Sequence, residues 1–124
     1  MITHETAGAF TKDWIEAFNS HEIEAILEHY ADDVEFYSPF IKLLQFNEEG
    51  FIRNKTELKR YFETGLQAYP DLHFQLHNFF TGVDSIVIYY TSVNGRWAAE
   101  TFQLNKEGKA ISVFCHYTND RSTY

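Results

Sequence analysis

The sequence predicts an α+β fold in which helices pack on one face of an antiparallel sheet. Apolar residues recur at helical spacing along much of the chain up to Pro70, and from Leu72 onward the period changes to two, which is typical of strands. Short turn sequences, among them Asn94-Gly95, separate four such alternating segments. Helices that come first and strands that follow are typical of segregated α+β domains.

Two amphipathic helices are predicted before the first strand. Residues 7–19 place charged side chains on one face and apolar side chains on the other, the latter being Phe10, Trp14, Ala17 and Phe18. Ser20 can cap a second helix that ends near Ala31. The apolar face of this second helix comprises Ile23, Ile26, Leu27 and Tyr30.

The first strand is predicted at residues 34–38. Pro39 ends it, because proline has no N–H to donate to a strand ladder. Residues 40–53 carry the weakest pattern of the chain. Their apolar content predicts a partly buried loop or a short hairpin, with Gly50 as a turn.

A third helix begins after Asn54, because Asn54 and Glu57 form an N-x-x-E pattern that resembles a capping box, and Pro70 ends it. Four strands then follow in a meander, joined by short turns of which Asn94-Gly95 is the clearest, since both of its positions favour positive φ. The predicted strands cover about residues 72–80, 85–93, 96–104 and 109–118.

The composition restricts the class of protein and its partners. The 124 residues are 44% hydrophobic and 18% aromatic, so the apolar surface suffices for one core and we expect a single domain over residues 1–124. Eighteen acidic and ten basic residues give a net charge of -8, which argues against nucleic acid and anionic membranes as partners. With one cysteine, Cys115, and neither a secretion signal nor a membrane span in the pattern, we expect a cytoplasmic protein.

Several short motifs occur in a defined order over roughly residues 7–118. They are Ala31-Asp32-Asp33-Val34-Glu35-Phe36 before Pro39, Asn54-Lys55-Thr56-Glu57-Leu58, Tyr69-Pro70-Asp71-Leu72, Glu100-Thr101-Phe102-Gln103-Leu104 and Gly108-Lys109-Ala110-Ile111. In order and spacing they resemble the SnoaL-like family of the nuclear transport factor superfamily. The resemblance implies a cone-shaped fold in which a curved antiparallel sheet and three helices of the N-terminal half enclose an apolar pocket, often in homodimers. The superfamily includes ketosteroid isomerases, polyketide cyclases, epoxide hydrolases, dehydratases and non-catalytic adaptors, so the fold does not select a function.

Glu100 is the first candidate for chemistry. It has the same strand parity as Phe102 and Leu104, which should face the core. Burial would raise the pKa of this acid and let it act as a general acid or base, and the matching position in related isomerases and SnoaL-like proteins holds an acid that lines the pocket. The alternative is a carboxylate that reaches solvent or pairs with Arg96.

Three further positions match functional residues of related enzymes but carry other side chains. Trp14 takes the place of an oxyanion-donating tyrosine, and a buried core tryptophan is the alternative. Ser38 falls where the isomerases hold a carboxylate base, and a serine without a partner base cannot do that work. Cys115 replaces a catalytic aspartate, and since His116 points to the opposite strand face, an inert buried thiol is expected. These departures argue against steroid-type isomerisation and weaken the cyclase and hydrolase interpretations.

A set of residues is predicted to line the pocket together with Glu100. They are Trp14, Phe18, Tyr37, Ser38, Tyr90, Phe102, Val113, Cys115 and Tyr117. No cofactor is expected, because the sequence lacks phosphate and dinucleotide fingerprints. No metal site is expected either, since His73 and His77 share one strand face but lie roughly 13 Å apart along it.

The outward face of the predicted sheet carries Trp97 and Phe114, and a homodimer would cover these side chains. Two functions remain open. One is the binding of a small apolar molecule whose carbonyl or hydroxyl meets Glu100, with acid–base chemistry of isomerase, cyclase or dehydratase type. The other is a non-catalytic dimeric binding or adaptor module with a vestigial pocket.

Overall fold

The computed structural model describes residues 1–118, in which four helices cover one face of a curved, unclosed sheet of six strands. In chain order the elements are α1 His4–Ser20, α2 Ile23–Leu27, β1 Tyr30–Tyr37, α3 Pro39–Leu43, β2 Phe51–Ile52, α4 Lys55–Ala68, β3 Gln75–Thr81, β4 Ser85–Thr91, β5 Trp97–Leu104 and β6 Ala110–Tyr117. The α+β class and the helix-covered sheet agree with the prediction. The predicted fold had three helices and lacked strand β2.

The two long helices begin at side-chain caps. The Thr3 hydroxyl accepts a hydrogen bond from the Thr6 N–H at 3.1 Å, and α1 starts directly after it. The Asn54 side chain accepts one from the Glu57 N–H at 2.8 Å, which caps α4 as the N-x-x-E pattern predicts. Local sequence therefore determines where both helices start.

The second helix is shorter than predicted. It ends at Leu27, and Tyr30 begins strand β1, where it pairs with Ala110 of β6. Ser20 does not occupy the N-cap position of this helix, which is Glu22; the Ser20 hydroxyl donates to the Ala17 carbonyl at 2.7 Å and accepts from the Glu22 N–H at 3.2 Å. Pairing with β6 therefore places Tyr30 and Ala31 in a strand, although their local sequence pattern is helical.

Residues 40–53 contain a short helix that the sequence pattern did not reveal. Ser38 caps α3 by accepting a hydrogen bond from the Phe40 N–H at 3.2 Å, and Pro39 occupies the first turn, where its missing N–H costs nothing. Gly50 has a φ of 72° and turns the chain into β2, which pairs antiparallel with the end of β1 across the segment that contains α3.

The strand order is β2-β1-β6-β5-β4-β3. The last four strands form an antiparallel meander in sequence order, as predicted, whereas β1 joins β6 in parallel through long-range pairing that no local pattern indicates. Within β5 every second residue is buried, so Glu100 and Phe102 point toward the helices. Asn94 and Gly95, with φ values of 58° and 69°, form the tight β4–β5 turn that was predicted.

Strand β3 lies at the edge of the sheet, and one prediction fails there. Leu76 has the strand parity of Phe74, which predicts that it faces the core. It is instead 39% exposed, because the edge position leaves it uncovered and the pairing with β4 shifts between Leu76 and Asn78. Just before β3, the Asn19 side chain of α1 donates to the Phe74 carbonyl at 3.0 Å and accepts from the Phe74 N–H at 2.7 Å. This pair of hydrogen bonds fixes the start of the edge strand against α1.

Among the described residues, no helix has both the length and the apolar content that crossing a lipid bilayer requires.

Candidate functional site

A cavity of about 70 Å³ lies between the helices and the inner face of the sheet. Its wall is largely aromatic, and the main contributors are Trp14, Phe18, Phe40, Tyr61, Phe62 and Phe74. An apolar cavity of about 150 Å³ is known to hold benzene. The present cavity therefore accommodates only a few heavy atoms beside the groups that line it.

Glu100 is the carboxylic acid in this aromatic wall. Only 3% of its surface is exposed, and the Tyr90 hydroxyl donates a hydrogen bond of 2.7 Å to its Oε1. Cys115 lies directly opposite on β6. Burial raises the pKa of Glu100 from its ordinary 4.5 to about 7, although hydrogen bonds from Tyr90 and Cys115 act in the opposite direction. Near neutral pH the group therefore exists in both protonation states, as a general acid or base requires.

Arg96 does not neutralise this acid. Its guanidinium donates to the Thr118 carbonyl at 3.3 Å and lies 5.6 Å from the centre of the Phe40 ring. Within residues 1–118 no Lys, Arg or His forms a salt bridge with Glu100. The ion-pair alternative is thus not what the structure contains, and desolvation governs the protonation of Glu100.

Four buried tyrosines surround the acid. Burial is the largest cause that raises the pKa of each one above its usual value, and the nearby charge of Glu100 adds to the shift for Tyr30, Tyr61, Tyr90 and Tyr117. All four therefore remain neutral hydroxyls across the working pH range. Tyr61, Tyr90 and Tyr117 line the cavity, so the site combines one titrating acid with neutral hydroxyl groups.

Trp14 lines the cavity but its indole N–H is already used. It donates a hydrogen bond of 2.9 Å to the Tyr30 hydroxyl, deep in the core. The ring is 1% exposed and packs at centroid distances of 4.9–5.5 Å against Phe18, Phe74, Tyr90 and Phe102. In this arrangement Trp14 shapes the cavity and does not present an oxyanion donor.

The structure does not bring all the predicted pocket residues together. Trp14, Phe18, Tyr90, Glu100 and Tyr117 line the cavity. Phe102 and Val113 face the core but are fully buried and do not reach the cavity wall.

Tyr37, Ser38 and Cys115 are not part of the cavity wall and border a surface groove, although Cys115 also forms a hydrogen bond with Glu100. Tyr37 pairs with Phe114 and stacks on its ring at 4.9 Å, which turns it to the outer sheet face. The strand ends at Tyr37, and the Ser38 hydroxyl is occupied as the cap of α3. The thiol of Cys115 is 7% exposed, and burial raises its pKa, which leaves an inert thiol.

Sequence reasoning missed the contribution of α3 and α4. Phe40 on α3, and Tyr61, Phe62 and Gly65 on α4, all line the cavity. The spacing of the α4 residues marks one helix face, which identifies a core-facing helix but does not distinguish a filled core from a cavity. Gly65 is the sharper signal, because glycine is unfavourable within a predicted helix and marks a packing or functional reason. In the structure a Cβ built there meets no atom within 4 Å.

Across residues 1–118 no three His, Cys, Asp or Glu side chains lie close enough to hold a metal ion. His29, buried to 6% exposure, instead faces Asp13 at 3.1 Å from Nε2.

Comparison with known proteins places the chain among relatives of one fold. The family model described as a SnoaL-like domain matches residues 11–119. A SnoaL-like protein of unknown function from Burkholderia thailandensis E264 is 36% identical, with a TM-score of 0.90 over 95% of this chain and 98% of that chain. None of the curated proteins compared matches this chain.

More distant structures share the fold alone. An NTF2-like protein of unknown function from Cytophaga hutchinsonii ATCC 33406 is 17% identical, with a TM-score of 0.70 and 95% of each chain covered. SalBIII, an epoxide hydrolase/cyclase-like enzyme in pyran ring formation in the polyether salinomycin, is 15% identical, with a TM-score of 0.75 and 95% of each chain covered.

Proposed function

Because the chain belongs to the family of SnoaL-like domains, we propose that it binds a small apolar ligand whose carbonyl or hydroxyl group meets Glu100 in the cavity. The observation that carries this proposal is Glu100 itself, a buried acid in an aromatic cavity, held by Tyr90 at 2.7 Å, with a pKa of about 7. An uncompensated acid in such a place is costly, and a bound polar group would offset that cost.

The chemistry we propose is proton transfer at that polar group. Protonated Glu100 donates to a carbonyl or leaving hydroxyl, and ionised Glu100 removes a proton from a carbon next to a carbonyl. Tyr117 and Tyr61 stay neutral and can donate hydrogen bonds to oxygen atoms that gain charge. This combination suits isomerase, cyclase or dehydratase reactions, and the description of SalBIII as epoxide hydrolase/cyclase-like supports acid–base chemistry on this fold.

The pH dependence of ligand binding tests the proposal. We expect 4-(4-hydroxyphenyl)butan-2-one, a methyl ketone whose butanone end enters the cavity while its ring lies toward the cavity opening, to bind the wild type most tightly below pH 7, because only protonated Glu100 donates to the ketone oxygen. As the pH rises through the Glu100 pKa of about 7, the hydrogen bond from Glu100 to the ketone oxygen is lost. Binding should then weaken by roughly tenfold, which is the usual effect of one hydrogen bond. Calorimetric titration between pH 5.5 and 8.5 measures it.

Glu100→Gln provides the control for this titration. Its amide keeps a donor in the cavity at every pH, so binding should persist and lose its pH dependence. A wild-type affinity that does not vary from pH 5.5 to 8.5, or an unchanged pH profile in the glutamine variant, would contradict the assignment of Glu100.

Gly65→Ala is expected to change stability and binding in opposite directions. Alanine in the last turn of α4 should stabilise the helix by up to about 0.5–1 kcal/mol, the value for a helix interior, and its methyl group meets no protein atom. The same methyl occupies part of a cavity of about 70 Å³, so the ketone should bind more weakly. Urea unfolding and the same calorimetric titration measure the two effects. Gln67→Ala, at an exposed position of the same helix, should leave binding unchanged.

The second candidate is a non-catalytic dimeric binding or adaptor module with a vestigial cavity. Two observations favour it: the cavity is small, and Ser38 and Cys115 stand where related enzymes carry carboxylates. Under this alternative the ketone does not bind at any pH, and Gly65→Ala raises stability without a binding effect. The titrations above therefore separate the two candidates.

We also propose that the protein forms a homodimer through the outer face of its sheet. One row of paired residues crosses all six strands on this face, which amounts to roughly 24 Å at about 4.8 Å per strand. The row consists of Phe80, Val87, Thr101, Phe114, Tyr37 and Phe51. Phe80 is 53% exposed, Phe114 43%, and the neighbouring Trp97 50%. A second copy of the same face would cover these side chains.

Light scattering at high micromolar concentration is expected to give the mass of a dimer. The double variant Trp97→Ser and Phe114→Ser should be a folded monomer, whereas Gln67→Ser, at an exposed position of helix α4 on the opposite side of the sheet, should remain dimeric. A monomeric wild type at that concentration rules out the dimer.

We propose that the protein is located in the cytoplasm, where a free thiol such as that of Cys115 stays reduced.

A further inference from the structure

A surface cleft of about 400 Å³ lies beside the cavity, between two turns of the chain. Residues 68–73, which follow α4, form one side, and residues 92–95 of the β4–β5 turn form the other. Its polar side chains are Asp71, His73, Ser92 and Asn94. We call this cleft the vestibule.

The vestibule and the cavity share part of their walls. Tyr69, Leu72, Ser92 and Val93 line both spaces, so these four residues stand between the interior and solvent. Strand β4 indicates the distance from Glu100 to the vestibule. Ile88 pairs with Glu100, and Ser92 lies four residues after Ile88 and also faces inward. Four strand residues span roughly 13 Å.

The size of the cavity limits what a ligand can gain inside it. Its volume of about 70 Å³ holds only a few heavy atoms, and the affinity of a ligand is limited by the number of heavy atoms that it brings into contact with the protein. A molecule confined to the cavity would therefore bind weakly. A longer molecule could add contacts only along a route that leaves the cavity, and the vestibule adjoins such a route.

We propose that the ligand is an elongated molecule whose carbonyl end lies at Glu100 and whose other end, a neutral group bearing several hydroxyls, occupies the vestibule. This proposal rests on the proposed function, and it adds the second binding region and the substrate class. Ser92, Val93, Tyr69 and Leu72 would contact the middle of the molecule.

The chemistry of the vestibule selects the outer group. Asp71 accepts hydrogen bonds, Ser92 and Asn94 both donate and accept, and hydroxyl groups can pair with all of them. Among the described residues no Lys or Arg lines either space, so a phosphate or carboxylate would face the Asp71 carboxylate with only the His73 imidazole beside it. Asp71 is a single exposed carboxylate, which gains little from a cationic partner in water. Neutral hydroxyls therefore fit better than either charged group.

Three probes with one common ketone end test the proposal: 4-(4-hydroxyphenyl)butan-2-one, its β-glucoside on the phenol oxygen, and its phosphate monoester on the same oxygen. Calorimetric titration at pH 6 should show the glucoside binding roughly tenfold more tightly than the parent ketone, the effect of one or two net hydrogen bonds. The phosphate ester should bind no more tightly than the parent.

Variants of the vestibule locate this gain. The double variant Asp71→Ala and Asn94→Gly removes two polar side chains and keeps a residue that tolerates the φ of 58° at position 94. It should abolish the tenfold advantage that the glucoside has over the parent ketone when both are titrated against this variant. Glu16→Ala removes an exposed carboxylate of α1 that lines neither space, and the advantage should survive it.

The outcomes distinguish failure of the vestibule proposal from failure of the proposed function. If the parent ketone binds and the glucoside gains nothing, or the gain survives the double variant, the vestibule proposal is wrong while the proposed function stands. If the phosphate ester binds as tightly as the glucoside, the assignment to neutral hydroxyl groups is wrong. If the parent ketone fails to bind in the pH range where Glu100 is protonated, the proposed function fails and the vestibule proposal with it.

Discussion

Glu100→Gln is expected to stabilise the protein above pH 7. The folded-state pKa of about 7, compared with an ordinary value of 4.5, corresponds to about 3 kcal/mol of differential free energy between the two protonation states. Because the pKa is raised on folding, the folded state binds the extra proton, and its stability falls as the pH rises from about 4.5 through 7. Glutamine is neutral at every pH and can still accept the hydrogen bond from Tyr90.

The measurement is urea unfolding of wild type and variant at matched pH values from 5.5 to 8.5. The difference between the two curves isolates Glu100 from the other titrating groups. The difference in unfolding free energy between variant and wild type should grow up to about pH 7 and then stay at about 1–3 kcal/mol in favour of the variant. Any water that reaches the carboxylate reduces the upper value. A strong loss of stability in the variant at pH 7 would instead identify Glu100 as a charged structural residue.

Trp14→Ala is expected to cause the largest loss of stability of the substitutions considered. The ring packs against Phe18, Phe74, Tyr90 and Phe102, and truncation of a buried tryptophan costs about 3–5 kcal/mol. The buried Tyr30 hydroxyl would also lose the hydrogen bond of 2.9 Å that it accepts from the Trp14 indole N–H. Urea unfolding at pH 7 measures the loss.

Two further variants separate packing from hydrogen bonding at this position. Trp14→Phe retains much of the aromatic packing and removes the indole N–H, so it should cost about 1–3 kcal/mol, the penalty for a buried group left without its partner. Leu43→Ala, at a site that is 60% exposed, should change stability by no more than about 0.5 kcal/mol. If Trp14→Ala costs no more than Leu43→Ala, the aromatic cluster around Trp14 does not carry the stability assigned to it.

Local sequence was sufficient for much of the fold. Asn54 and Glu57 marked the start of α4, Asn94-Gly95 marked the β4–β5 turn, and alternation in β5 set Glu100 on the inner face. Each of these signals lies within a few residues of the chain, because caps, tight turns and strand parity depend on local backbone geometry. The four-stranded meander follows from them, since its strands pair with their neighbours in sequence.

The tertiary structure alone decided which residues border the cavity. Parallel pairing of β1 with β6 converted Tyr30 from a helix residue to a strand residue and turned Tyr37 to the outer face beside Phe114. Both effects arise from contacts between segments about 80 residues apart, on which local patterns carry no information. The raised pKa of Glu100 has the same origin, because strand parity makes the side chain face inward, but only the packing of α1, α3 and α4 over it removes the water that would keep it charged.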